Sequence, residues 1–153
     1  MDDLRHHGHA RLLLLQALTA LGGAFGFGWE IRFLHETDTV LAGISGCIYG
    51  LLAAQLGNIV LNWSAWGFYR RAWYTSVLVC ATLSDVVVDI VMYSPEISYS
   101  AHVGGFVTGA LVGLVVMRDA GPGLTRCKAA IELVAVMLFL VFFASSITNM
   151  LIA

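Results

Sequence analysis

The chain of 153 residues is strongly apolar, because 59% of its residues are hydrophobic and only 12% are charged. Soluble domains carry about a quarter of charged residues, so this composition excludes an ordinary soluble domain. The net charge of −2, with no cluster of basic residues, excludes a nucleic-acid partner.

Five apolar segments, bounded by charged or turn-forming residues, predict five membrane-spanning helices. Each segment is close to the roughly 17–25 residues that a helix needs to cross the hydrocarbon core. A continuous helix also satisfies its own backbone hydrogen bonds in lipid. The predicted fold class is therefore an all-α polytopic transmembrane helical bundle, with a short polar cytoplasmic tail at 1–10 and one membrane domain at 11–153. The predicted spans are 12–29, 43–63, 72–93, 101–117 and 131–152.

The distribution of basic residues predicts the orientation of these spans. Seven of the eight lysines and arginines precede the first span or lie in the loops that follow the second and fourth spans, and only Arg32 lies on the opposite side. Because cytoplasmic loops are enriched in basic residues, we predict a cytoplasmic N-terminus and a C-terminus outside the cell or in a lumen. On this topology His6, His7 and His9 are solvated cytoplasmic residues rather than metal ligands.

The second span begins with the small-residue cluster Gly43-Ile44-Ser45-Gly46. Small residues let transmembrane helices approach closely, so helix packing is one interpretation of Ser45. The other interpretation is a nucleophile at a helix N-terminus, where unpaired backbone N–H groups favour a developing oxyanion. Gly43, Ser45 and Gly46 would then form the backbone support of that oxyanion.

The third span contains two acidic residues, Asp85 and Asp89, which share one helix face because they are four residues apart. They favour either a pair of interfacial or partnered carboxyl groups, or a proton relay in a transporter or channel. The three cysteines, Cys47, Cys80 and Cys127, follow no metal-ligand spacing and predict buried free thiols.

The fourth span opens with His102, which is either a hydrated residue at the membrane surface or a functional group with a partner. Ser45 is the obvious partner, since both residues begin spans that run in the same direction, and a neutral imidazole can take a hydroxyl proton. Gly105, Gly109 and Gly113 recur every four residues and predict a face for close helix packing, either within the bundle or in a dimer.

Together these motifs resemble the rhomboid family of intramembrane serine proteases, in particular its animal members. Residues 43–49 match the family's G-x-S-G-x-x-Y helix, and residues 101–109 match its A-H-x-x-G-x-x-x-G helix. Residues 58–63, Asn-Ile-Val-Leu-Asn-Trp, also resemble the animal members. The resemblance covers about residues 11–153, and the last span is of the kind that animal rhomboids carry after the histidine helix.

The resemblance implies that Ser45 is the nucleophile and His102 the general base, in a dyad without a third acid, and that Tyr49 packs against the imidazole. It implies substrates that are single-span proteins of the lipid bilayer, cleaved near the outer or lumenal face, and neither a cofactor nor a metal. The family has two further helices before the first span, and the second of them carries an H-x-x-x-N pair that helps to bind the oxyanion. We expect no residue of this chain to correspond to that pair. The alternatives are a rhomboid-like protein that binds membrane clients without cleaving them, and a transporter or channel that uses Asp85 and Asp89.

Overall fold

The computed structural model describes residues 2–34, 43–92, 98–117 and 125–152, with only the backbone for some of them, among them 2–7, 85–86, 88–90 and 125–128. All of its regular secondary structure over these ranges is helical, which confirms the all-α class. The five helices are α1 (Asp2–Leu34), α2 (Gly43–Leu61), α3 (Phe68–Met92), α4 (Tyr99–Val116) and α5 (Thr125–Leu151).

Four of these helices, α1, α2, α4 and α5, contain stretches that are long and apolar enough to cross a membrane. The stretches are Gly8–Phe33, Ile44–Leu61, Tyr99–Val116 and Ala129–Asn149. The crossing of the membrane by α3 stays a prediction. The predicted fold class, a bundle of long apolar helices, is thus confirmed.

The helix α1 extends beyond the predicted span 12–29 at both ends. It covers 33 residues and is therefore about 50 Å long. No proline interrupts the chain between residues 2 and 34, so one helix runs from the polar N-terminal residues into the apolar ones without a break. The segment 2–10 of the predicted polar tail is accordingly helical. In the same way α5 begins at Thr125, six residues before its predicted apolar span.

The interior of the bundle is built by α1, α2 and α4, with α4 packed against both of the others. Ala53, Ala54 and Ala101 are almost fully buried there, so small side chains form much of the interior and the backbones lie close together. The helix α5 packs on α4 and α1, whereas the main neighbour of α3 is α2. Most of the described side chains of α3 are exposed.

The exposure of Cys80 on α3 corrects the prediction of buried thiols. Cys80 is exposed and Cys47 is half-buried, and both are free thiols. The side chain of Cys127 lies outside the described residues. The prediction was wrong for Cys80 because hydropathy shows that a segment is apolar but not which of its side chains the other helices cover.

Candidate functional site

The first turns of α2 and α4 are in backbone contact beside Ser45 and His102. A Cβ atom added to Gly46 would lie 3.1 Å from the carbonyl oxygen of Ala101. A Cβ atom added to Gly105 would overlap the carbonyl oxygen of Gly46. Two helices approach this closely only where no side chain intervenes, so glycine is required at Gly105. A side chain at Gly46 would fit only if the neighbouring backbone moved by a few tenths of an ångström.

The same contact continues along the whole length of α2 and α4. A Cβ atom on Gly109 would overlap the carbonyl oxygen of Gly50, and one on Gly113 would lie 2.7 Å from the Cα atom of Ala54. Residue numbers therefore rise together along the two helices, which shows that α2 and α4 are parallel. The stripe of Gly105, Gly109 and Gly113 lies against α2 inside the bundle.

The parallel arrangement brings Ser45 and His102 to the same end of the bundle. Ser45 is the second residue of the apolar stretch Ile44–Leu61, and His102 is the fourth residue of Tyr99–Val116. Ser45 directly precedes Gly46, and His102 directly follows Ala101, which are the two residues in contact. Both side chains are partly exposed at this end.

The imidazole of His102 lies between two aromatic rings. Tyr49 stacks on it with ring centroids 4.3 Å apart and an angle of 18° between the ring planes. Tyr99 meets it edge-on, with centroids 6.4 Å apart and an angle of 78°. Since Ser45 and Tyr49 are four residues apart, they share one face of α2, so the serine lies one helical turn from the ring that holds the histidine.

The start of α2 also offers backbone donors. The helix begins at Gly43, and the first four N–H groups of a helix have no acceptor within it. The N–H groups of Ser45 and Gly46 lie in this first turn, at the positive end of the helix dipole. The helix dipole therefore favours a negative charge at this end of α2.

Two residues next to this site, Glu30 and Ser98, were missed at the level of the sequence. The Glu30 side chain is only 3% exposed, and its Oε2 atom accepts hydrogen bonds from the Ser98 hydroxyl and from the Ser100 N–H, the latter at 3.3 Å. Ser98 caps α4, since its Oγ atom accepts from the Ala101 N–H at 3.2 Å. The available signals were a lone acidic residue directly after the predicted span 12–29 and a serine three residues before Ala101.

The opposite end of the bundle contains the N-terminal part of α1. A cavity of about 480 Å³ lies there, lined among others by Gly8 and Arg11 of α1, Asn58 of α2 and Met117, which directly follows α4. His9 is exposed in this region, at the other end of the bundle from Ser45. The side chains of His6, His7, Asp85 and Asp89 lie outside the described residues.

The fold and the paired motifs define an integral membrane protein of the helical-bundle class, in which two parallel helices start with a serine and a histidine. The family model described as the rhomboid domain matches residues 4–119, which covers α1 to α4. The chain belongs to the rhomboid family. The resemblance identified in the motifs is thereby confirmed for these four helices, and the correspondence of α5 to a family helix stays a prediction.

Relatives of the chain are found in plants and animals. The chain is 30% identical over 113 residues to RHOMBOID-like protein 4 of Arabidopsis thaliana, over 74% of this chain and 26% of that protein. It is 26% identical over 121 residues to human Rhomboid-related protein 3, over 74% of this chain and 29% of that protein. It is 26% identical over 124 residues to Rhomboid-related protein 1 of Caenorhabditis elegans, over 78% of this chain and 34% of that protein. The chain therefore spans about a quarter to a third of the length of these curated relatives. No solved structure matches the chain.

Proposed function

We propose that the chain is an intramembrane serine endopeptidase in which Ser45 is the nucleophile and His102 is the general base. Its substrates are single-span membrane proteins, cleaved near the outer or lumenal face of the membrane. Membership of the rhomboid family supports this class of activity. The observation that carries the assignment of residues is the Gly46–Ala101 contact together with the stacking of Tyr49 on His102.

In the proposed reaction the Ser45 oxygen attacks the carbonyl carbon of a substrate peptide bond while the imidazole of His102 takes the hydroxyl proton. The carbonyl oxygen becomes an oxyanion and accepts hydrogen bonds from the N–H groups at the start of α2. The C–N bond then breaks, and the imidazolium gives its proton to the leaving amine. Water hydrolyses the acyl-enzyme by the same steps, which restores the Ser45 hydroxyl and releases a carboxylate.

The stacked ring of Tyr49 supports the role of His102 as a base. An offset stack of two aromatic rings contributes about 0.5–1.5 kcal/mol beyond the area that it buries, and it limits rotation of the imidazole. A general base must be held within hydrogen-bond reach of the proton that it abstracts, so a fixed ring orientation has a direct effect on rate. Tyr49 is accordingly a positioning residue in this proposal.

The orientation of the chain in the proposal follows from its basic residues, with the N-terminus in the cytoplasm. The starts of α2 and α4 then face the outside or a lumen. Substrate helices enter from the lipid and unwind locally, because a helical peptide bond does not offer its carbonyl to a nucleophile.

Labelling with a fluorophosphonate probe tests the nucleophile directly. The full-length protein in lipid bilayers is expected to react at one serine, and Ser45→Ala and His102→Ala are expected to abolish this reaction. Ser84→Ala is the matched control, since that hydroxyl is exposed on α3 and donates only within its own helix, to the Cys80 carbonyl at 2.6 Å. A folded parent protein that is labelled no more than its Ser45→Ala variant would overturn the proposal. In that case, capture of an intact single-span client by both proteins would identify a rhomboid-like protein that binds without cleaving.

A further inference from the structure

A buried carboxyl group at the end of α1 holds the beginning of the histidine helix. Glu30 is nearly inaccessible to solvent, and its Oε2 atom accepts from the Ser98 hydroxyl and from the Ser100 N–H. Ser98 in turn accepts from the Ala101 N–H through the same hydroxyl oxygen. One side chain of α1 therefore binds, directly or through Ser98, two of the backbone donors that precede His102.

These hydrogen bonds act on a turn that is also fixed by packing. A Cβ atom on Gly26, one turn before Glu30 on α1, would overlap the carbonyl oxygen of Ser100. On the other side of the same turn, Gly46 of α2 lies against Ala101. The first turn of α4 is thus held between α1 and α2, and Glu30 supplies its polar attachment to α1.

A carboxylate at this position is physically favourable. The first N–H groups of a helix have no partner within it, and acceptors near a helix N-terminus interact favourably with the dipole. The two hydrogen bonds offset part of the cost of removing the acceptor from water, whereas the same donors without it would be unsatisfied. Removal of the acceptor therefore loosens the first turn of α4 rather than only one contact.

We infer that Glu30 is a positioning residue for His102, which acts through Ser98 and the Ser100 N–H by fixing the turn of α4 that carries the imidazole. This inference rests on the proposed function of His102 as the general base. Glu30 does not touch the reacting atoms. Its contribution is to hold His102 at the distance from Ser45 at which the proton is transferred.

The experiment compares two replacements of Glu30 with a control in the full-length protein in lipid bilayers. Glu30→Gln keeps an oxygen that accepts from Ser98 and Ser100, while Glu30→Leu has a similar size and no acceptor. The control is Ser146→Ala, because Ser146 is equally buried and its hydroxyl donates only to the Phe142 carbonyl of its own helix. The first measurement is the rate of fluorophosphonate labelling of Ser45 over a range of probe concentrations.

At saturating probe, Glu30→Leu is expected to react about 10–100-fold more slowly with an unchanged half-saturating concentration, because a small displacement of a catalytic group costs this much in rate. Glu30→Gln and Ser146→Ala are expected to stay within about threefold of the parent, which is less than one hydrogen bond is worth. Equal rates for Glu30→Leu and the parent would overturn the inference. So would a rate for Glu30→Gln as low as that of Glu30→Leu, since the amide retains the acceptor.

A second measurement does not depend on catalysis. Diethyl pyrocarbonate modifies accessible histidines, and mass spectrometry of the peptide that contains His102 gives its rate separately from the other four histidines. Glu30→Leu is expected to raise this rate about fivefold, because a loosened first turn opens more often, and Glu30→Gln is expected to leave it unchanged. If the parent is not labelled at Ser45, the proposed function fails, and the His102 rates still decide whether Glu30 orders the turn. Equal His102 rates in all variants would contradict that role.

Discussion

Replacement of Gly105 by alanine adds one methyl group at the point where α4 touches the first turn of α2. That methyl carbon would overlap the carbonyl oxygen of Gly46 and would lie 2.7 Å from its carbonyl carbon and 3.0 Å from its Cα atom. These are backbone atoms, so no side-chain rotation relieves the overlap. The two helices must separate or tilt at the end of the bundle that carries Ser45 and His102.

The size of the effect follows from the geometry. Ordinary contact begins at 3.4 Å, so the carbonyl carbon of Gly46, 2.7 Å from the new methyl, must already move away by about 0.7 Å. The overlap with the carbonyl oxygen is deeper, so the backbones must separate by more than this. Overpacking of this kind costs about 1–3 kcal/mol in other proteins. Alanine is also about 1 kcal/mol better than glycine inside a helix, which offsets part of the loss. Because the overlap is with backbone atoms, the cost lies in the upper part of that range, at about 2–3 kcal/mol. We therefore expect a net loss of stability of about 1–2 kcal/mol.

Unfolding in mixed micelles, driven by increasing sodium dodecyl sulfate, measures this free energy. Gly8→Ala is the matched control, since a Cβ atom added to Gly8 on α1 meets nothing within 4 Å. That variant should be more stable than the parent by about 0.5–1 kcal/mol, because only the conformational freedom of the glycine is lost. The opposite signs of the two substitutions remove any general effect of replacing glycine.

The same variant also affects the candidate site. A displacement of about 1 Å between two catalytic groups costs on the order of a hundredfold in rate, so labelling of Ser45 by a fluorophosphonate should fall steeply in Gly105→Ala. If Gly105→Ala and Gly8→Ala raise stability by the same amount, the contact between α2 and α4 does not exist as described. If stability falls while labelling stays at the parent rate, the contact does not position the site.

Three further predictions concern single contacts. Tyr49→Leu removes a ring stack worth about 0.5–1.5 kcal/mol, so labelling of Ser45 should slow by about 2–12-fold. Tyr49→Phe keeps the stack and should remain within about twofold of the parent rate. Equal labelling rates for Tyr49→Leu and the parent would exclude a positioning role for Tyr49. The Arg32 guanidinium donates to the carbonyl of Asn149 in the last turn of α5. Arg32→Ala should therefore lower the unfolding free energy by about 1 kcal/mol, and Arg32→Lys by less. An unchanged unfolding free energy for Arg32→Ala would show that this contact does not hold α5. Asn62 is 2% exposed and donates to the Asn58 carbonyl and side-chain oxygens at 3.0 and 2.8 Å. Asn62→Ala should therefore lower the unfolding free energy by about 1–2 kcal/mol, and Ser64→Ala, at an exposed serine, by less than about 0.5 kcal/mol. Similar losses for the two variants would argue against a contribution of the Asn62–Asn58 hydrogen bonds.

Much of the architecture could be predicted from local sequence properties. The apolar runs predicted helices where α1 to α5 are found, because a chain in lipid must satisfy its backbone within each segment. The motif spacings then identified the family, which the match over residues 4–119 confirms. The helix ends were predicted less well. Polar residues at the start of α1 continue the helix without contributing to hydropathy, so the predicted span 12–29 is shorter than Asp2–Leu34.

The chemistry around Ser45 and His102 depends on contacts between helices, and these were predicted only in part. The spacing of Ser45 and Tyr49 placed them on one face of α2, but the rotation of α2 against α4 decides which ring meets His102. The hydrogen bonds of Glu30 join residues 68 and 70 positions apart, so no local pattern predicts them. Cys80 illustrates the same limit, since hydropathy does not show which side chains of an apolar helix the other helices cover.

Sequence alone determined that this chain forms apolar helices and that its serine and histidine begin two of them, because length, hydropathy and spacing act within one segment. Only the tertiary structure decided which faces of those helices meet. The reason is that glycine permits close approach along several faces of α1, α2 and α4, and the packing of all three helices together selects one register. If the imidazole of His102 did not contact the ring of Tyr49 in the folded protein, the serine and histidine motifs would be related only by their sequence pattern.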